Sequence, residues 1–167
     1  EISLSYKMPL PKVLLYIGIV DFYSLNIGDA FRNFQNVIGS GNIIGDVYFY
    51  LGKIFRLINN ETESIENFKK AILLSESEIN KLLSFEEIKE KLPKEEKEYY
   101  LNKARSFYLV RTTIPKDEDL LVKAIDYRIE GNYEKTIEVL KELINLYPGF
   151  FQGYIELAKT YEIIKKP

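Results

Sequence analysis

"DLLVKAIDYRIEGNYEKTIEVLKELINLYP", Asp119 to Pro148, is the stretch on which the reading of the fold turns. In its second half Ile137, Leu140, Leu143, Ile144 and Tyr147 recur at steps of three and four, which places them on one face of a helix. Gly131 marks a turn before that helix. Pro148 and Gly149 end it, because proline cannot continue the hydrogen-bond ladder and glycine accepts left-handed geometry. A single helix with one apolar face must lie on another element.

The partner emerges from self-similarity. Set beside "GDVYFYLGKIFRLINNETESIENFKKAILLS" (Gly45–Ser75), Leu120, Ala124, Tyr127, Gly131, Thr136, Leu140 and Leu143 fall opposite Tyr48, Gly52, Phe55, Asn59, Ser64, Phe68 and Ala71. Moving back 34 residues from Tyr48, Leu51, Gly52, Ser64, Phe68 and Ala71 gives Leu14, Ile17, Gly18, Ala30, Phe34 and Val37. Moving forward 34 from Leu120, Lys123, Ala124 and Tyr127 gives Tyr154, Leu157, Ala158 and Tyr161. A recurring 34-residue pattern is the mark of a stacked helical-hairpin repeat, in which no hairpin buries its apolar face alone. Small residues (Gly18, Gly52, Ala124, Ala158) are expected where paired helices approach closely, with Phe34, Phe68 and Leu140 filling the adjoining space.

With "YFYLGKIF", "YIELAKTY", "SIENFKKA" and "TIEVLKEL" at this spacing, and Pro148 closing a unit, most of the chain resembles the tetratricopeptide repeat family. The resemblance implies an all-α, right-handed superhelical solenoid of antiparallel helix pairs in a single domain. Its units would span residues 11–44, 45–78, a degenerate 79–116, 117–150 and a half repeat at 151–167, so four repeats and a C-terminal single helix. The degenerate unit reads as two lengthened helices, "EINKLLSFEEIKEKL" and "KEEKEYYLNKARSFYLVRT", divided by Pro93. Phe107, Val110 and Pro115 keep its second-helix pattern. Asp21 departs from the first copy by standing at an aromatic position.

Composition limits the chemistry. Of 167 residues 46% are hydrophobic and 29% charged, which suits a globular chain with a real core. A net charge of −2 gives no general electrostatic case for nucleic acid or an anionic membrane. Cysteine is absent, which removes disulfides and thiolate metal sites and leaves the compartment open, with the cytoplasm favoured. Histidine is absent too, so catalytic triads, Cys–His pairs and imidazole ligands have no residues to build them. The expectation is a protein that is not an enzyme and holds neither cofactor nor metal.

Other motifs read as structure. "VLLYIGIV" (Val13–Val20) is too short to span a bilayer and reads as a buried core helix. "EISLSYKMPLP" lacks the basic start and cleavage site of a signal peptide and an initiator Met, as an excerpt or a processed chain would. "GSGNIIGD" (Gly39–Asp46) lacks the lysine and strand of a phosphate loop and reads as an inter-repeat turn. "KDEDL" (Lys116–Leu120) suits a first helical turn better than a calcium loop. "EEIKEKLPKEEKE" places Glu87 and Lys91 on a solvated helix face, and the sequon-like "NET" (Asn60–Thr62) matters only in a glycosylating pathway.

In the family, positions on the first helix of each repeat line a concave groove. Carried over, they give Phe22, Phe49, Lys53, Arg56, Leu121, Ile125 and Arg128 as the candidate protein-binding residues. Leu15 and Ile19 stand where the family's carboxylate clamp needs hydrogen-bond donors, which argues against that mode. Packing between neighbouring helices is the alternative use of the same side chains. The expected function is a protein–protein interaction scaffold holding a partner peptide or helix, or a regulatory or targeting module of a larger protein. The final helix, "FQGYIELAKTYEIIKKP", is expected to cap the array, to be followed by more chain, or to pair two copies as a homodimer.

Overall fold

The computed structural model describes residues 10–106 and 115–165. Phe107 and Val110 therefore lie outside the described residues. All regular structure among those described is helical, and the chain divides into two compact units, Glu1–Glu76 and Ser77–Pro167. The first holds α1 (Leu10–Tyr23), α2 (Ile27–Gly39), α3 (Asp46–Leu57) and α4 (Glu61–Leu74). The second holds α5 (Glu78–Ile88), α6 (Lys94–Arg105), α7 (Lys116–Ile129), α8 (Tyr133–Leu146) and α9 (Phe151–Lys165).

The helices pack as sequential pairs: α1 with α2, α3 with α4, α5 with α6, and α7 with α8, while α9 lies on α8. First helices also touch one another, α1 with α3 in one unit, α5 with α7 and α7 with α9 in the other. Both kinds of contact are consistent with a helical repeat.

The turns inside three of the hairpins are built alike. Leu25, Asn59 and Gly131 take positive φ (64°, 58° and 79°), and the amides of Asn26, Asn60 and Asn132 reach back to Asp21, Phe55 and Tyr127 carbonyls at 2.8, 2.9 and 2.9 Å. That is the Schellman ending, which satisfies carbonyls the helix leaves open. In two of the three the asparagine side chain then caps the following helix: Asn60 Oδ1 accepts from the Glu63 amide and Asn132 Oδ1 from the Lys135 amide, while Asn26 makes no such bond. Asn60 of the sequon-like triplet thus serves as a cap.

The small residues seat large ones. A Cβ added at Gly18 would stand 2.6 Å from Phe34 Cε1, and one at Gly52 would stand 2.8 Å from Phe68 Cδ1. Ala124 and Leu140 are both fully buried in the corresponding hairpin. The second helices also present a small buried residue, Ala30, Ser64 or Thr136, and Ser64 Oγ donates to the Gly52 carbonyl at 2.9 Å. Asp21, the departure from the aromatic pattern, ties α1 to α2 by accepting from Asn33 Nδ2 at 2.9 Å.

Three expectations need correction. α1 is not a buried core helix: Leu15 and Gly18 are buried, but Tyr16, Ile17 and Val20 are exposed. The helix expected to run to Leu92 ends at Ile88, and Pro93 keeps Leu92 itself from helical geometry. Glu87 Oε1 also accepts from Lys159 Nζ at 3.4 Å. At 158 the alanine is exposed, and the close approach of α9 to α8 is made by Gly153, where a Cβ would stand 3.1 Å from Leu143 Cδ2. No helix among the described residues is long and apolar enough to cross a membrane.

Candidate interaction surface

In the first unit, α1 and α3 bring three of the candidate residues together. Lys53 Nζ stands 4.9 Å from the ring centroid of Phe49 and 5.9 Å from that of Phe22, so the ammonium lies over two aromatic faces. Phe22 is half-buried and makes edge contacts with Tyr23 (5.4 Å) and Tyr50 (5.7 Å). Phe49 is buried, packed edge-on against Tyr50 and Phe68 at 5.2 and 6.2 Å, and so lies under the surface. One turn beyond Lys53, Arg56 is exposed, its guanidinium carbon 5.9 Å from the Phe68 centroid. Partial burial lowers the Arg56 pKa from its ordinary value.

Phe22, Lys53 and Arg56 therefore form an accessible ledge, apolar at one end and cationic at the other. Tyr23 and Tyr50 belong to the same aromatic cluster and were not among the residues singled out by repeat position. Burial pushes the Tyr50 hydroxyl well above its ordinary pKa, with Tyr23 and Asp46 adding to the shift, so it remains a neutral packing group.

The second unit uses the equivalent positions differently. Leu121 and Ile125 are fully buried, because α7 is in contact with both α5 and α9. Arg128 is only 1% exposed. These three, with Phe49, are candidate residues whose side chains are buried inside their own units.

Arg128 is held by a saturated network. Its Nε and Nη2 donate to the two carboxylate oxygens of Glu86 on α5, at 2.6 and 2.9 Å. Nη1 donates to the Glu156 carbonyl at 3.1 Å and to Thr160 Oγ1 at 3.0 Å, while Nη2 also donates to Glu156 Oε2 at 2.5 Å. Each of the five guanidinium N–H groups thus has an acceptor. Lys159 Nζ adds a bond to Glu86 Oε2 at 2.9 Å, and Gln152 Nε2 donates to Glu156 Oε1 at 2.8 Å.

Burial alone would raise the Glu86 carboxyl, but the Arg128 hydrogen bonds and charge, with Lys159 beside them, hold it below the usual carboxylate range. Burial likewise opposes the charge on Arg128, and its two glutamate partners outweigh that and raise its pKa. The network joins three first helices, α5, α7 and α9, and its donors and acceptors are used by one another. Glu156 was the legible sign of it, since 34 residues earlier the same position holds buried Val122.

Among the described residues no group of three or more His, Cys, Asp or Glu side chains could hold a metal. Comparison of the chain with protein-family models, with curated proteins and with solved structures finds no match.

Proposed function

We propose that the chain is a tetratricopeptide-like superhelical repeat module that works as a protein-interaction scaffold, with the first-helix face of α1 and α3 as its docking surface. The observation that carries this reading is the Phe22–Lys53–Arg56 ledge. Aromatic and arginine side chains that remain accessible are typical anchors of protein interfaces. Here the half-buried Phe22 ring lies beside the Lys53 ammonium, with the exposed Arg56 one helical turn on, so a peptide or helix presenting an apolar side chain next to a carboxylate fits it. The repeated hairpins below supply rigidity, which limits the ordering cost of binding.

Selection of displayed random peptides on the folded protein tests this. Enriched peptides are expected to lose about tenfold or more in affinity, roughly 1.4 kcal/mol, for the Phe22→Ala/Arg56→Glu double variant. Enriched peptides that bind parent and variant equally would remove the ledge from the account.

A further inference from the structure

The two hairpin turns of the first unit carry apolar side chains where turns are ordinarily polar. Leu25 in the α1–α2 turn is 82% exposed, and Leu57 and Ile58 at the α3–α4 turn are each 60% exposed. Tyr23, two residues before Leu25, is 54% exposed. The turns share one end of the unit: Lys53 of α3 reaches the Phe22 ring, and the rings of Phe31 and Phe55 meet edge-on at 5.9 Å. α4 finishes at the other end, where Ser75 bonds to Asp46 at the start of α3. Both turns are interior to the chain and each is followed by its own packed helix, so neither is bare for want of further chain.

Leu25 is the sharpest departure. Its φ of 64° is left-handed, and the matching turns place Asn59 and Gly131 there, residues that accept such geometry readily. A leucine at this position bears backbone strain and holds an apolar side chain in water as well. Breaches of local rules of this kind mark functional positions. The α7–α8 turn of the second unit is the contrast: Glu130 takes the place of Ile58 and pairs with Arg105 at 2.8 Å, and Ile129, in the place of Leu57, is half-buried. Charge at the tip is one-sided too. Segments 22–28 and 47–60 contain no acidic residue, and their two cations, Lys53 and Arg56, lie on the last turns of α3. Of the flanking acids, Asp21 and Asp29 are bonded to Asn33 and Arg32, and Glu61 and Glu63 occupy the first turn of α4, where its dipole favours them.

We propose that this tip docks on a phospholipid surface, with Leu25, Leu57 and Ile58 entering the acyl boundary, Tyr23 at the headgroup level, and Lys53 and Arg56 meeting lipid phosphates. The order apolar, aromatic, cationic is the one a membrane interface favours. A protruding tip of Leu and Ile suits a fluid apolar layer better than a protein surface, whose anchors are chiefly Trp, Tyr and Arg. The contact is peripheral. The overall charge of −2 does not oppose it, since salt screening confines the interaction to charges within about 10 Å of the lipid. Leu25, Leu57 and Ile58 take no part in the Phe22–Lys53–Arg56 ledge, so substitutions at these three test the tip alone.

Co-sedimentation of the whole protein with sucrose-loaded vesicles of mixed phosphatidylcholine and phosphatidylglycerol tests this. Saturable partitioning is expected, weakened about tenfold or more by the Leu57→Ser/Ile58→Ser double variant and severalfold by Leu25→Gly. Leu25→Gly separates the proposal from a structural role, because it relieves the left-handed backbone and so raises the melting point while lowering vesicle binding. A leucine kept for folding alone would not trade binding for stability in this way. Circular dichroism checks that both variants remain folded; all three positions are exposed, so the substitutions leave the core alone. No saturable partitioning, or partitioning unchanged in either variant, would overturn the proposal. So would a dimer of the protein alone, seen by sedimentation equilibrium and dissociated by Leu57→Ser/Ile58→Ser, which would give the tip to a second copy.

Discussion

The ring of Phe68 lies against the backbone of Gly52, its Cδ1 2.8 Å from the point where a Cβ on that glycine would stand. Phe68 is fully buried, so it has no free space into which to retreat. Gly18 and Phe34 repeat the relationship in the preceding hairpin. The glycine is required here by proximity rather than by its backbone angles.

Gly52→Ala is therefore expected to destabilise the first unit by about 1–3 kcal/mol, the usual cost of overpacking a filled core. Gly52→Leu should unfold the α3–α4 hairpin. Urea melts followed by circular dichroism read both; an unchanged midpoint for Gly52→Leu would show that the packing register is wrong.

The three like turns make a prediction of opposite sign. Leu25 holds a left-handed backbone (φ 64°) that costs a non-glycine residue roughly 1–2 kcal/mol, and its side chain is exposed. Leu25→Gly should stabilise the first unit by roughly 0.5–1 kcal/mol after the extra chain entropy of glycine is subtracted. At the equivalent site of the second unit, Gly131→Ala should cost about 1 kcal/mol. Paired melts of the two variants check the signs.

Removing Arg128 should be far more damaging than its surface-like identity suggests. Arg128→Met leaves the buried Glu156 carboxylate without a cation and Glu86 with Lys159 alone, and breaking buried pairs in this way costs about 3–5 kcal/mol. Hydrogen exchange should show α9 losing protection first, since two of its three buried residues bond to this guanidinium.

The same network gives a pH dependence. The Glu86 pKa is depressed in the fold, so its stabilising contribution is complete above the unfolded carboxyl value of about 4.3 and is lost as pH falls through the lower folded value. Stability of the second unit should drop on acidification below about pH 4.3, and Glu86→Gln should remove that part of the slope. Parallel acid titrations of urea midpoints for the two proteins measure it.

The hairpins, their turns and the small-over-large packing were legible because each follows from a repeat of 34 residues with period-3.6 faces inside it. The accessible surface was less legible. Repeat position places Leu121, Ile125 and Arg128 on a groove, but it does not say how closely the next first helix approaches. In the second unit α5 and α9 both contact α7, and an arginine with five internal acceptors becomes a core residue. Glu156 in the place of a buried valine was the one sign of this in the sequence. Pro93 is visible in the sequence as punctuation, but it restricts Leu92 and does not by itself mark the end of α5 at Ile88.

The scaffold account is tested most directly by mapping a display-selected peptide onto the protein by NMR. Backbone amide shifts are expected to concentrate on α1 and α3 around Phe22, Lys53 and Arg56. Shifts centred instead on the exposed second-helix side, around Arg32 of α2 and Lys70 of α4, would contradict it.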